Sequence, residues 1–280
     1  MNKAHAFFEL MRLDKPIGIY LLLWPALLAL IISTGGNFIY SDFLIVVIGS
    51  ILVRSAGCVI NDIWDKDLDG GVERTKLRPI PSKRVSIYES WALFLILGFL
   101  SLILLSLTNA NTIFISFCFS LLIILYPLTK RFLMGPQIFL GLTFNPTIIV
   151  YAMTDELNNS TMIFLYFALA AMTIAFDTLY GLCDIDDDKK LGINSTPIWW
   201  GSNTLKIVAC FQSMAIFLLL IVGWQAALKF IWFLGVFFLI GFYLHQHHLA
   251  NQKKYFLAFK NNHWASFYLL MLSVLCFLII

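Results

Sequence analysis

Two acidic stretches hold the chemistry that this sequence offers. The first runs Asn61-Asp62-Ile63-Trp64-Asp65-Lys66-Asp67-Leu68-Asp69, and the second Asp177-Thr178-Leu179-Tyr180-Gly181-Leu182-Cys183-Asp184-Ile185-Asp186-Asp187-Asp188. Carboxylates spaced like Asp65 and Asp69, or Asp184 and Asp188, can together hold a hard divalent cation through oxygen. Mg²⁺ takes one or two carboxylates and fills its other positions with water and substrate phosphates. Arg74, Lys76 and Arg78 follow the first stretch, and Lys189 and Lys190 follow the second. Carboxylates, a metal and neighbouring cations make a clamp for a diphosphate. The plainer reading, two solvated acidic loops, leaves their shared spacing unexplained. Adding 119 to positions 61, 65 and 69 gives 180, 184 and 188, which are Tyr180, Asp184 and Asp188. If the flanking helices continue through both stretches, each triplet lies along one helical face. The pattern predicts an internal repeat four helices long.

The elements that position these residues are membrane spans. Of 280 residues, 60% are hydrophobic and 12% charged, against about 45–50% and about 25% in soluble domains. That excludes a water-soluble globular fold. A helical span takes ~20 residues, and the apolar runs predict nine, over 17–34, 41–60, 88–107, 111–128, 134–153, 160–182, 204–223, 229–249 and 263–280. The expected fold is an all-α polytopic bundle, a single transmembrane domain over 1–280 around a central cavity. The first run does not read as a cleavable signal or a mitochondrial transit peptide: Glu9 and Asp14 precede it, and Pro25 interrupts it. With the N-terminus inside, every Lys and Arg falls in an inner segment or, for Lys206, at the inner end of a span, except Lys229, at an outer end, and Arg54, well within a span. This bias predicts a cytoplasmic N-terminus, an outer C-terminus and both acidic stretches on the cytoplasmic side. The net charge of +3, scattered over short loops, gives no nucleic-acid surface. The five cysteines, Cys58, Cys118, Cys183, Cys210 and Cys276, form neither a disulfide framework nor a CxxC site. No obligate protein partner is evident.

Arg12-Leu13-Asp14-Lys15-Pro16-Ile17-Gly18 and Leu21-Leu22-Leu23-Trp24-Pro25 open the chain. Ala56-Gly57-Cys58, Val72-Glu73-Arg74-Thr75-Lys76-Leu77-Arg78-Pro79 and Gly192-Ile193-Asn194-Ser195-Thr196 flank the two acidic stretches. In this order the motifs resemble the 4-hydroxybenzoate polyprenyltransferases of the UbiA family over nearly the whole chain. One stretch departs: Phe144-Asn145-Pro146-Thr147 stands where the family tends to carry Trp-x-x-Pro-Met. The resemblance implies a Mg²⁺-dependent enzyme of the bacterial inner membrane, acting in ubiquinone biosynthesis on a polyprenyl diphosphate and an aromatic acid. It also implies that the two acidic motifs face each other across the cavity. Asn61, Asp65, Asp69, Asp184 and Asp188 would hold Mg²⁺, and Arg74, Lys76, Arg78 and Lys189 the diphosphate. Tyr180 would meet substrate, and Arg131 matches an arginine implicated in catalysis, although Lys130-Arg131 also reads as a topology anchor. Related alternatives are a haem or naphthoate prenyltransferase. A divalent-cation transporter is the alternative from another class, but it should place its acids nearer the bilayer midplane.

Arg54 lies seven residues before Asn61, so on one helix it shares that face ~10 Å deeper. Asp177 stands likewise before Asp184. Ionisable residues at such depth mark function, so both are read as substrate contacts; an ion pair between them is the alternative. Arg54 is the expected partner of an acceptor carboxylate. His245, His247 and His248 lack nearby Cys or acid, which argues against zinc. Trp24, Trp199 and Trp200 are expected in interfacial belts.

Overall fold

Long apolar runs with their backbone groups paired internally form helices, and the computed structural model, which describes residues 3–71 and 75–278, is built from them. In chain order they are α1 (Lys3–Leu10), α2 (Ile17–Ser33), α3 (Tyr40–Trp64), α4 (Ile87–Leu105), α5 (Ala110–Thr129), α6 (Pro136–Thr143) and α7 (Thr147–Met153). Then follow α8 (Thr161–Gly181), α9 (Ile185–Leu191), α10 (Thr196–Trp200), α11 (Thr204–Gln225), α12 (Phe230–Asn251) and α13 (Tyr255–Leu278). Local chemistry sets several starts. Ser86 and Glu89 close a reciprocal capping box on α4, and the Asn109 side chain accepts from the Thr112 N–H at 2.8 Å to begin α5.

α8 is the central element, with 67% of its apolar window buried, whereas α4 has 11% and turns Leu95, Phe99 and Leu102 outward. Small residues bring the later helices close. A Cβ on Gly223 of α11 would stand 2.2 Å from the Trp232 ring, and one on Gly235 of α12 would stand 2.4 Å from Leu272. Such contacts are how membrane helices associate without a hydrophobic drive between them.

Among the described residues, six helical segments are long and apolar enough to cross a membrane: α3, α4, α5, α8, Thr196–Gln225 and α12. The other three expected spans differ for visible reasons. α2 has 17 residues. The stretch 134–153 is not one helix but α6 and α7, broken at Phe144–Pro146. There Pro146 removes a backbone donor, the Asn145 amide donates to the Tyr166 carbonyl at 2.7 Å, and its oxygen accepts from the Thr147 N–H at 3.2 Å. α13 begins at Tyr255 rather than 263, and its early turns carry Lys260, Asn261, Asn262 and His263.

The expected shared faces do not form either. α3 stops at Trp64 and α8 at Gly181. Asp65 is therefore the C-cap of α3, Asp69 opens a 3₁₀ turn, and Asp184 is the N-cap of α9. Trp24 packs against the main core, stacked on Tyr20 at 5.3 Å and tilted against Phe267 at 5.2 Å.

Candidate active site

A cavity of about 1070 Å³ opens among α2, α3, α5, α6, α8 and α13, with Arg54, Asn61, Tyr126, Asp177 and Tyr180 in its wall. Its aromatic floor includes Phe144, Phe176 and Phe259. The Phe259 ring lies 4.7 Å from that of Tyr180 and 6.0 Å from that of Phe176. Arg54 stands over Phe144 at 5.3 Å, and its Nε is buried with no hydrogen-bond partner among the described residues. Asp177 attracts it across the same cavity. Arg54 and Asp177 both line this cavity.

The mouth is built by ion pairs between distant segments. Asp62 is 1% exposed and accepts from the Arg12 Nη2 at 2.9 and 2.8 Å and from the Arg78 Nη1 at 3.1 Å. The same Arg78 nitrogen donates to Asp69 Oδ2 at 2.7 Å. One buried carboxylate therefore aligns the arginine that reaches the next. Arg12 holds this place from a left-handed backbone at φ +59°, where glycine is the ordinary occupant after a helix. Its Nη1 also donates to the Glu9 carbonyl at 2.9 Å, closing α1.

Asp65 is held from two sides. The Asn61 amide donates to its Oδ2 at 3.1 Å and the Lys130 ammonium at 2.6 Å. Its Oδ1 is buried with no hydrogen-bond partner among the described residues. Burial pushes the Asp65 carboxyl up against the pull of Lys130, and pushes the Asp69 carboxyl up against the pull of Arg78. Among the described residues no three His, Cys, Asp or Glu side chains converge as a ready metal cage. The donors are nevertheless hard oxygens, and an unpartnered buried carboxylate oxygen fits a divalent cation that completes its sphere with phosphate and water.

The second acidic stretch sits on α9, whose first turn carries Asp186, Asp187 and Asp188 and whose last carries Lys189 and Lys190. That order complements the helix dipole. The helix ends at Gly192, at φ +67°. Asn194 then donates its N–H to the Lys130 carbonyl at 2.9 Å. This bond ties the segment after the second motif to the residue that grips the first. Thr178 and Thr196 share a 2.8 Å hydroxyl contact, and the Thr196 N–H donates to Gln137 at 2.8 Å, which fixes α10 to α8 and α6.

The remaining expected residues fall as follows. Asp184 and Asp188 are half-buried, and Lys76 and Lys189 are exposed. Arg131 is exposed and donates to the Trp64 carbonyl at 2.8 Å. Arg74 lies outside the described residues. The histidines go elsewhere: His247 meets Gln212 at 2.8 Å, His248 meets Gln252 at 2.8 Å, and His245 is exposed.

The pattern of the UbiA prenyltransferase family matches residues 22–270. The chain belongs to the UbiA prenyltransferase family. Relatives include a 4-hydroxybenzoate octaprenyltransferase of Shewanella woodyi, 37% identical with 94% of each chain covered. Another, of Psychromonas ingrahamii, is 40% identical over 95% of this chain and 94% of that one. The fold is that of a UbiA homolog from Aeropyrum pernix K1, with TM-score 0.81 at 21% identity over 92% of this chain and 96% of that one. A UbiA homolog from Archaeoglobus fulgidus bound to GPP and Mg²⁺ has TM-score 0.71 at 16% identity, over 94% and 99% of the two chains.

For this UbiA family member, reading the sequence passed over Asp62, Arg12, Lys130 and Tyr126 as site residues. One signal was available: Tyr126 on α5 and Lys130 at its C-cap are four apart, a spacing that puts them on one helical side, which Arg131 does not share. The Arg12–Asp62 pair, 50 positions apart, left no local signal.

Proposed function

We propose that this chain transfers the polyprenyl group of a long polyprenyl diphosphate to the ring carbon ortho to the hydroxyl of 4-hydroxybenzoate, a step of ubiquinone biosynthesis. The observation that carries this reading is the polarity of one cavity, with carboxylates and cations at the mouth and, beside its aromatic rings, the Arg54 guanidinium, whose buried Nε has no hydrogen-bond partner among the described residues.

Arg78, Lys76, Arg74 and Lys189 meet the diphosphate, and Lys130 and Asp62 hold the mouth in register for it. Asn61, Asp65, Asp69, Asp184 and Asp188 would hold Mg²⁺, which when bound supplies positive charge against the departing diphosphate. Arg131 acts through the turn it fixes at Trp64, which carries Asp65. The bond between the allylic carbon and the diphosphate oxygen breaks, and its electron pair leaves with the diphosphate. The ring carbon beside the phenol hydroxyl then attacks the allylic cation, and the ring proton is lost. Arg54 receives the acceptor carboxylate, since an unpaired charge in this cavity would be strongly unfavourable. Asp177 and Tyr180 face the ring from α8. The prenyl tail stays in lipid, because at ~0.8 kcal/mol per buried CH₂ a long chain does not leave the bilayer.

The same reading makes residues 1–280 one domain that crosses the bacterial inner membrane nine times, with α2, the α6–α7 pair and α13 as the further crossings. The N-terminus is cytoplasmic, as the distribution of Lys and Arg supports. The test uses membranes containing the protein, a polyprenyl diphosphate, Mg²⁺ and a panel of aromatic acids. A lipid-soluble product from 4-hydroxybenzoate supports the assignment. Transfer only to a naphthoate or to haem would overturn it.

A further inference from the structure

Glycine is a poor helix former, yet Gly18 sits in the first turn of α2 and lines the cavity. A Cβ there would lie 2.5 Å from Arg54 Nε, 2.6 Å from Nη2 and 2.9 Å from Cζ. No real Cβ makes contacts that short, so the guanidinium occupies the space a side chain at position 18 would need. The cation also stands over Phe144 at 5.3 Å. Its position is therefore set by the bare backbone of α2 and by the aromatic ring at the α6–α7 break, while Nε is buried without a partner among the described residues.

We propose that Gly18 is a positioning residue: it seats the Arg54 guanidinium and so sets recognition of the acceptor carboxylate. This rests on the reading above in which Arg54 meets that carboxylate. The obstructing atoms belong to the far end of a flexible side chain. Alanine at position 18 therefore displaces Arg54 rather than breaking the fold, and it makes α2 a better helix. A change that improves a helix and harms one substrate only is the signature of a seat.

The test compares Gly18→Ala, Arg54→Leu and the double variant in membranes, measuring the KM for 4-hydroxybenzoate, the KM for the polyprenyl diphosphate, kcat, and the thermal midpoint of the solubilised protein. Gly18→Ala should raise the acceptor KM about tenfold or more and leave the diphosphate KM within about twofold, with no fall in the midpoint. In the Arg54→Leu background Gly18→Ala should add nothing, because no guanidinium remains to displace. If Arg54→Leu leaves the acceptor KM unchanged, the assignment of Arg54 fails and takes the seat with it. If Arg54→Leu raises that KM but Gly18→Ala does not, the seat is wrong and the Arg54 assignment stands. The seat is equally wrong if the Gly18 penalty persists in full without Arg54.

Discussion

Asp65 and Asp69 are carboxylates that burial holds above their ordinary range while Lys130 and Arg78 pull them down. With the folded pKa raised, each carboxylate is a liability once ionised: in metal-free protein its contribution to stability is lost as pH rises through that pKa. A divalent cation bound there would relieve this, and protons would compete with it for the same oxygens. The Mg²⁺ concentration giving half-maximal rate should therefore rise as pH falls, beginning above the range of a solvated aspartate, which a Mg²⁺ titration at several pH values measures. Asp69→Asn and Asp188→Asn should each abolish turnover while leaving folded protein in the membrane, since an amide keeps the shape but loses the charge. His247→Ala, whose ring meets Gln212, should leave the rate near that of the parent. Full activity in either aspartate variant would break the clamp. Deeper in, loss of a charge-assisted pair is worth ~2–3 kcal/mol, so Arg54→Leu should lower kcat/KM for 4-hydroxybenzoate by roughly 30- to 150-fold. Arg54→Lys should recover part of it, because an ammonium cannot grip a carboxylate with two parallel bonds.

At the scale of elements, the positions of the helices were legible and their ends were not. Apolar runs reveal where lipid or core must be met, and all nine runs contain helix. They do not reveal how far a helix continues beyond its run, because that is decided by partners far away in sequence. The turn after α3 is held by Arg12, Arg78 and Lys130, and no window around Asp65 contains all three. The break between α6 and α7 was visible as Asn145-Pro146, but averaging over an apolar run hides a single missing donor. Arg54 and Asp177 were legible for the opposite reason: a charge inside a span is costly wherever it falls, so its type and depth suffice. Helix packing gives its own test. Gly223→Ala drives a methyl into the rigid Trp232 ring, whose Nε1 already donates to the Leu219 carbonyl at 2.9 Å. Overpacking of this kind costs about 1–3 kcal/mol, so the thermal midpoint of the solubilised protein should fall although no residue of the cavity has changed.

Across the whole molecule, six long apolar helical segments among the described residues and the UbiA membership make this a multi-pass membrane protein, and the distribution of Lys and Arg predicts a cytoplasmic N-terminus. In a cysteine-free background, single cysteines replacing Lys83 and Leu157 should react with impermeant reagents from opposite sides. Labelling of both from one side would overturn the orientation and, with it, the cytoplasmic placement of the cavity mouth. Under the proposed function, the diphosphate would be cleaved at the polar rim and the allylic cation captured beside the aromatic rings that line the cavity. The most direct test is a reaction with purified protein in lipid discs, ring-labelled 4-hydroxybenzoate, a polyprenyl diphosphate and Mg²⁺, with the new bond located in the product. A carbon–carbon bond ortho to the hydroxyl, formed with Mg²⁺ and absent with EDTA, is the expected result. Release of diphosphate without a prenylated ring, or a prenyl group found on oxygen, would contradict it.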